Sequence, residues 1–376
     1  MKSLRLLAGL FCAILVSDLA AASKRPKPEV DELFSQPKVF QIRIEIPSAS
    51  LDSLQKDPRK YVRGVVRDSS KTYSDVGIRL KGSGSFQPSD KKPALAIKFN
   101  EFVSGVRFHG HSKVFLNNSH QDPTYVCEAV GGELFRAAGV PAPRTTYAHV
   151  DLNGRDLGLY VLSEAVNKEF LAKHFARTKG NLYEGSKADV TDKLEKDSGD
   201  ESKEQKDVKA LAAAAKENDP ATRLKTLGGL LDVERFISFA ATEVFAWHHG
   251  GYTMSQDNYR LYNDPSTNQL VFIPHSYEEL FGKPKGPLFP EWKGVVAKAI
   301  FETPDGKAKY RDRMSKLTTT FFTADAINKK ISLYEGVVKQ ELGRDATQAK
   351  AFDAAIAQLR ERVNKRAAFI EEELKR

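Results

Sequence analysis

The residues of this chain with the clearest capacity for chemistry sit at one turn, Lys81-Gly82-Ser83-Gly84-Ser85. Glycine lets a backbone approach an anion closely, so Gly82-Ser83-Gly84 on a tight strand connection could cradle a phosphate with its N–H groups. The same residues are also the composition of a plain hairpin turn. Two lysines compete to neutralise such an anion, Lys81 directly at the turn and Lys98 on the strand that follows; either is otherwise an exposed strand lysine. His248, His249 and His275 raise the thought of zinc, because imidazole is a common ligand. Neighbouring helix residues point about 100° apart, and no third ligand accompanies them in a recognisable motif. No Gly-x-Ser-x-Gly elbow or reactive cysteine arrangement offers a hydrolase.

The elements that must position these residues are legible from periodicity. Phe40, Ile42, Ile44 and Ile46 alternate with polar neighbours, which predicts a half-buried strand ended by Pro47. Further strands are predicted at Tyr61 to Val66, Val76 to Leu80, Ala94 to Phe99 and Lys113 to Leu116, giving an N-terminal antiparallel sheet. A helix follows Asp122, a residue suited to an N-cap, and stops at Gly139. Asn153-Gly154 marks a type I′ turn between strands at Thr145 to Val150 and Gly158 to Leu162. A helix is expected over Glu164 to Phe175. Ser186 to Asp207, dense in charge and nearly free of large apolar residues, reads as a mobile solvated excursion. Helices at Lys209 to Lys216 and Val233 to Trp247, a hairpin around Asp264-Pro265, and helices from Asp325 to Arg376 complete an α+β protein.

Several motifs, taken in order, resemble the CotH kinase family. They are Gly77-Ile78-Arg79-Leu80-Lys81-Gly82-Ser83-Gly84-Ser85, Ala96-Ile97-Lys98-Phe99-Asn100, Leu116-Asn117-Asn118, Asp122-Pro123-Thr124, Gly158-Leu159-Tyr160 with Glu164, Asp257-Asn258-Tyr259-Arg260-Leu261-Tyr262, and Phe281-Gly282. The resemblance spans residues 38–320 and implies an atypical protein-kinase-like fold, with an N-terminal antiparallel sheet lobe and a larger helical C-terminal lobe. The remaining helices, 321–376, would be a C-terminal extension packed on that domain. Such a kinase binds ATP with Mg²⁺ or Mn²⁺, neutralising phosphate with a lysine and holding the metal with carboxylates. Lys81, Gly82, Gly84 and Lys98 are then the nucleotide-binding candidates; Lys98 follows Ala96-Ile97 as the phosphate-pairing lysine of protein kinases does. The resemblance also implies that Glu164 pairs the lysine, that Asn258 is the active-site asparagine, and that Asp257 is close enough to assist. Helix-terminal charge complementarity and turn capping are the plainer accounts of Glu164 and Asn258.

The departures from the family pattern bear on activity. Where that pattern has an aspartate after the helix ending in Trp247-His248-His249, this chain has Gly250. Where it runs Pro-Trp-Asp-x-Asp, this chain has Pro274-His275-Ser276-Tyr277-Glu278, which leaves Glu278, with Asn258, as the metal-ligand candidates. The implied function is ATP-dependent phosphoryl transfer to serine or threonine on an exported or envelope protein, or an inactive pseudokinase or scaffold that keeps the fold.

Residues 1–22 have a charged start, an apolar run from Leu6 to Val16 and Ala20-Ala21-Ala22, the layout of a secretory signal peptide. This predicts a periplasmic, envelope or extracellular protein with no transmembrane helix after cleavage, followed by an exposed linker at 23–37. Cleavage removes Cys12 and leaves Cys127 alone, so stability must come from a core rather than disulfides. It also lowers the formal charge from +9 to +8 by removing Lys2, Arg5 and Asp18. That moderate excess suits an acidic partner or a nucleotide phosphate, and no compact basic helix or stacking array argues for nucleic acid.

Overall fold

The structure, a computed structural model, describes residues 33–69, 71–199, 204–343 and 345–376. The expected signal peptide therefore lies outside the described residues. The linker ends earlier than expected: Leu33 and Phe34 are already buried in the same apolar cluster as the first strands.

Strands β1 (Val39–Glu45), β2 (Val62–Arg67), β3 (Thr72–Lys81), β4 (Ala94–Lys98), β5 (Lys113–Asn117), β6 (Thr145–Leu152) and β7 (Arg155–Glu164) close into a barrel. Helix α1 (Ser48–Lys56) and helix α2 (Cys127–Ala137) interrupt the series. The order around the barrel is β1-β2-β3-β4-β5-β7-β6, and the seam from β6 back to β1 is parallel, from Val39 opposite Tyr147 to Ile44 opposite Leu152. The expected antiparallel sheet is thus corrected in one pairing, which is parallel, and it closes on itself. Alternation along each strand sends Ile42, Ile44, Ile78, Leu80, Ile97 and Leu116 inward to a common core, and leaves Arg79, Lys81, Lys98, Lys113 and Asn117 on the outer face. Asn153 and Gly154 take left-handed φ values of 53° and 79°, as a type I′ turn requires. Asn153 also clamps the turn to β1, accepting from the Ile46 N–H at 2.7 Å and donating to its carbonyl at 2.9 Å.

After β7 the chain forms α3 (Lys168–His174), β8 (Leu182–Gly185), β9 (Glu195–Ser198), α4 (Lys206–Ala215), α5 (Pro220–Leu230), α6 (Val233–Ala246), α7 (Tyr252–Ser255), β10 (Tyr259–Asp264) and β11 (Gln269–Pro274). Helices α8 (Val295–Phe301), α9 (Pro304–Thr320), α10 (Ala324–Leu342) and α11 (Ala346–Lys375) close it. The second sheet has the order β11-β10-β8-β9. Glu164 ends β7 instead of opening a helix, because α3 starts only after Asn167, whose side chain caps the Glu169 and Phe170 N–H groups.

The charged excursion is anchored rather than loosely solvated. It contributes β9, buries Val190 and Leu194, and plants Asp189 in the interior. That carboxylate accepts from Tyr252 Oη at 2.9 Å, Gln256 Nε2 at 2.8 Å and the Val295 N–H at 2.8 Å. The C-terminal helices are integral as well. Ile327, Ile331, Phe352 and Ile356 share one core with α2 and α6. Arg366 is fully buried and donates to the carbonyls of Val244 at 2.6 Å and Phe245 at 3.0 Å, and to those of Pro284 and Gly286. Val244 and Phe245 lie in the last turn of α6, where carbonyls run short of helical partners; that of Val244 has only the Trp247 N–H, at 3.2 Å, within the helix end. No helix among the described residues is long and apolar enough to cross a membrane.

Candidate functional site

Lys81 is the last residue of β3, half-buried on the outer barrel face. Its Nζ donates to Asn117 Oδ1 at the end of β5, and lies 4.8 Å from the centre of the Phe115 ring. Asn117 Nδ2 in turn donates to both carboxylate oxygens of Glu128, each at 2.7 Å. Glu128 stands in the first turn of α2, where the helix dipole favours a carboxylate. The Ser163 hydroxyl adds a further hydrogen bond to it. Asp122 sets the start of α2 by accepting from the Cys127 N–H at 2.9 Å and the Thr124 N–H at 3.0 Å.

Glu278, on the segment after β11, acts electrostatically on both Lys81 and Glu128. Burial pushes its carboxyl up to about 7, Glu128 adds to the rise, and Lys81 opposes it. Burial lowers the Lys81 ammonium from its ordinary range, and Glu278 and Glu128 pull it back up. Burial likewise raises Glu128. One cation thus faces two carboxyls in a partly desolvated place, the arrangement that moves pKa values at functional sites.

The turn itself is held from behind. Gly82 has φ 100°, so a side chain there would be strained, and its missing Cβ would meet Ser85 Oγ at 2.9 Å. Gly84 takes no left-handed conformation and has only ordinary contacts with Gln121. Asn118 Nδ2 donates to the Ser85 carbonyl at 3.0 Å and the Lys92 carbonyl at 2.9 Å, and Gln121 Nε2 donates to Glu279 at 3.0 Å. Glu279, next to Glu278 in the chain, thus has a hydrogen-bond partner of its own in Gln121.

Asn258 has a left-handed φ of 52°, donates from Nδ2 to the Gly250 carbonyl at 2.9 Å, and its own carbonyl accepts from the His275 N–H at 3.1 Å. Asp257 accepts from the Asn258 N–H at 2.8 Å and the Lys187 N–H at 3.0 Å. The segment His275 to Glu278 thereby links Asn258 to the Lys81 cluster. His275 Nδ1 lies 2.9 Å from Ser276 Oγ, and burial, with Arg260 next, drives its imidazole down to about 3.

Two expected members sit elsewhere. Lys98 makes an ion pair with Glu101 at 2.6 Å. Glu164 is buried, which by itself would raise its pKa, but Arg144, at 2.6 and 2.9 Å, and Lys173, at 2.8 Å, take it and bring it below the usual carboxylate range. Glu128 and Asn117, not Glu164, are the groups that meet Lys81. The Leu116-Asn117-Asn118 motif was the available signal: asparagine in a strand is disfavoured, so two in succession at a strand end invite a polar role.

Among the described residues no group of three or more His, Cys, Asp or Glu side chains is placed to hold a metal ion. Mg²⁺ keeps most of its water and is held by one or two carboxylates together with substrate phosphates. Glu278 fits a cation on those terms, jointly with a phosphate near Lys81.

The profile described as CotH kinase protein matches residues 78–371, so the C-terminal helices belong to the matched region. Invasin CotH2 of Rhizopus delemar is 22% identical over 333 residues, covering 78% of this chain and 55% of that protein. The inner spore coat protein H of Bacillus subtilis is 22% identical over 329 residues, covering 81% of this chain and 86% of that protein. The chain spans about half the length of the invasin relatives, 55% of CotH2 and 48% of CotH3. Among solved structures, the Helicobacter pylori proinflammatory kinase CtkA aligns at a TM-score of 0.31 and 8% identity, over 71% of this chain and 94% of that one. HipA of the Shewanella oneidensis toxin–antitoxin system, solved with HipB and operator DNA, aligns at 0.35 and 12% identity, over 89% of this chain and 74% of that one. Superpositions at that level carry no argument about this chain. The profile match covers more than half of the chain and settles its kinship: the protein belongs to the CotH kinase family.

Proposed function

We propose that this protein is an exported nucleotide-binding CotH family member whose Lys81 cluster engages the phosphates of ATP, with a serine or threonine hydroxyl on an exported or envelope protein as acceptor. The carrying observation is the half-buried Lys81 amine, held by Asn117 and set against Glu128 and Glu278. In this reading the barrel and the helical core are the two lobes of an atypical kinase-like fold. Bound ATP with Mg²⁺ or Mn²⁺ would supply the phosphoryl group and the neutralising cation. Lys81 pairs with phosphate, Glu128 aligns Lys81 through Asn117, and Glu278, with Asn258, offers oxygen to the cation. The spore coat and invasin names of the relatives support a surface or exported location.

Gly250 favours a second reading, a pseudokinase that binds without transfer. Removing a general base costs a factor of about 100 to 10,000, and the residue that meets the Asn258 side chain, Gly250, offers a carbonyl and no carboxylate. Incubating the purified mature chain with radiolabelled ATP, Mg²⁺ or Mn²⁺ and a serine-rich acceptor separates the two, with fluorescent mant-ATP reporting binding. Binding lost in Lys81→Met and Glu278→Gln is the expected result. Absence of any metal-dependent nucleotide binding would overturn both readings.

A further inference from the structure

Cations of both sheets act on one another where the barrel meets the second sheet. Lys113 of β5 feels Arg260 of β10 and Arg79 of β3. Two carboxylates nearby pair with one cation each, Glu101 with Lys98 at 2.6 Å and Asp197 with Arg260. Glu184, on β8, reaches several. It is level with Arg260 across the β8–β10 ladder and pairs with it at 2.8 Å, and its charge also acts on Lys81 and Lys113. Burial by itself would raise the Glu184 carboxyl, but Arg260, followed by His275, Lys113 and Arg79, brings it below the usual carboxylate range. Glu128 and Glu278 act on Lys81 as well. The first is engaged by Asn117, however, and the second is the candidate cation ligand. Glu195, level with Glu184 on β9, is exposed.

We propose that Glu184 is a specificity-determining residue of the nucleotide site, a resident negative charge that disfavours free ATP and so selects its complex with a divalent cation. This rests on the reading of Lys81 as the phosphate partner. Coulomb repulsion scales with the charge of the ligand, and a bound Mg²⁺ or Mn²⁺ cancels two charges of the triphosphate. A carboxylate acting on Lys81 therefore penalises the metal-free nucleotide more than the complex. Glu184 also weakens the pull of Lys81, Lys113 and Arg260 on any anion, which makes the divalent cation a condition of tight binding. Its place on a strand and its pair with Arg260 fix the charge where it stands. Glu184 needs no contact with the nucleotide for this role, because it acts through the field it sets at Lys81.

The test titrates mant-ATP into the full mature chain twice, once with Mg²⁺ and once with EDTA. In Glu184→Gln the EDTA titration should tighten at least about fivefold, as removal of a unit charge near a protein surface predicts. The Mg²⁺ titration should tighten less, so that the ratio of the two affinities falls. Glu184→Asp, which keeps the charge, should keep the parent ratio, and Glu195→Gln should leave both affinities as in the parent. Arg260 retains Asp197 in these variants, so circular dichroism should not change; if the glutamine variant fails to fold, Glu184→Ala serves the same comparison. An equal gain with and without Mg²⁺, no gain at all, or the same gain in Glu195→Gln overturns the proposal. Mant-ATP binding that is present in the parent and unaltered in Glu184→Gln removes this inference alone. No mant-ATP binding to the parent under either condition removes the nucleotide reading and this inference with it.

Discussion

Glu278 is the residue on which charge and stability pull in opposite directions. Its folded carboxyl titrates at about 7 against an ordinary 4.5, so between those values the folded chain holds a proton that the unfolded chain has released. Its contribution is intact below the lower value and is lost as pH rises through the upper one, at a cost of roughly 1–3 kcal/mol. Glu278→Gln should therefore raise the melting temperature at pH 8 and leave it unchanged at pH 4.5, by thermal denaturation at both. Metal-dependent nucleotide binding should run the other way, because a ligand must be deprotonated: affinity should climb from pH 6 to 8 in the parent and stay flat in Glu278→Gln. The missing acids give a second residue-scale test. A Cβ on Gly250 would meet only Asn258 Nδ2, at 3.2 Å, and Ser276 has a φ of 53° that aspartate tolerates. Gly250→Asp with Ser276→Asp should fold normally and increase metal-dependent nucleotide binding or transfer; no change in either would redirect attention from these two positions.

At the scale of elements, Glu164 at the end of β7 and Lys81 at the end of β3 have separable roles. Glu164 joins the end of β7 to Arg144 and to Lys173 of α3. Glu164→Ala removes the buried carboxylate that Arg144 and Lys173 share, a loss of about 3–5 kcal/mol when a buried pair is broken, and it should lower the melting temperature without selectively weakening mant-ATP affinity. Lys81→Met should show the reverse pattern. The turn after β3 offers another test, since Asn118 ties both of its arms to the end of β5 through the Ser85 and Lys92 carbonyls, while Arg155 of β7 donates to the Ser89 and Asp90 carbonyls between them. In Asn118→Ala, amide exchange over residues 83–92 should quicken while the β3 and β4 amides keep their protection; unchanged exchange would mean that Arg155 suffices to hold the loop.

For the whole molecule, the C-terminal helices decide whether the larger core exists. Arg366 caps carbonyls of α6 and of the segment after Glu278 from a fully buried position. Arg366→Met keeps the volume but leaves several carbonyls unsatisfied, at about 1–3 kcal/mol each, and should lower the melting temperature sharply or shift the protein to the insoluble fraction. A variant as stable as the parent would show that water replaces the guanidinium.

The sequence by itself determined what depends on neighbours along the chain. Alternation placed β1 to β5, Asn153-Gly154 placed its turn, and the order of short motifs gave the family, because side-chain period and turn chemistry are local properties. Only the tertiary structure decided what depends on pairing at long range. It closed the barrel through the β1–β6 seam, sank Asp189 of a charged stretch into the core, and packed the last helices into the main cluster. It also chose the partners of the charged residues. Nothing local marks Glu128 over Glu164 as the companion of Lys81; the strand register and the entry of α2 bring the first to Asn117 and leave the second, at the end of β7, with Arg144.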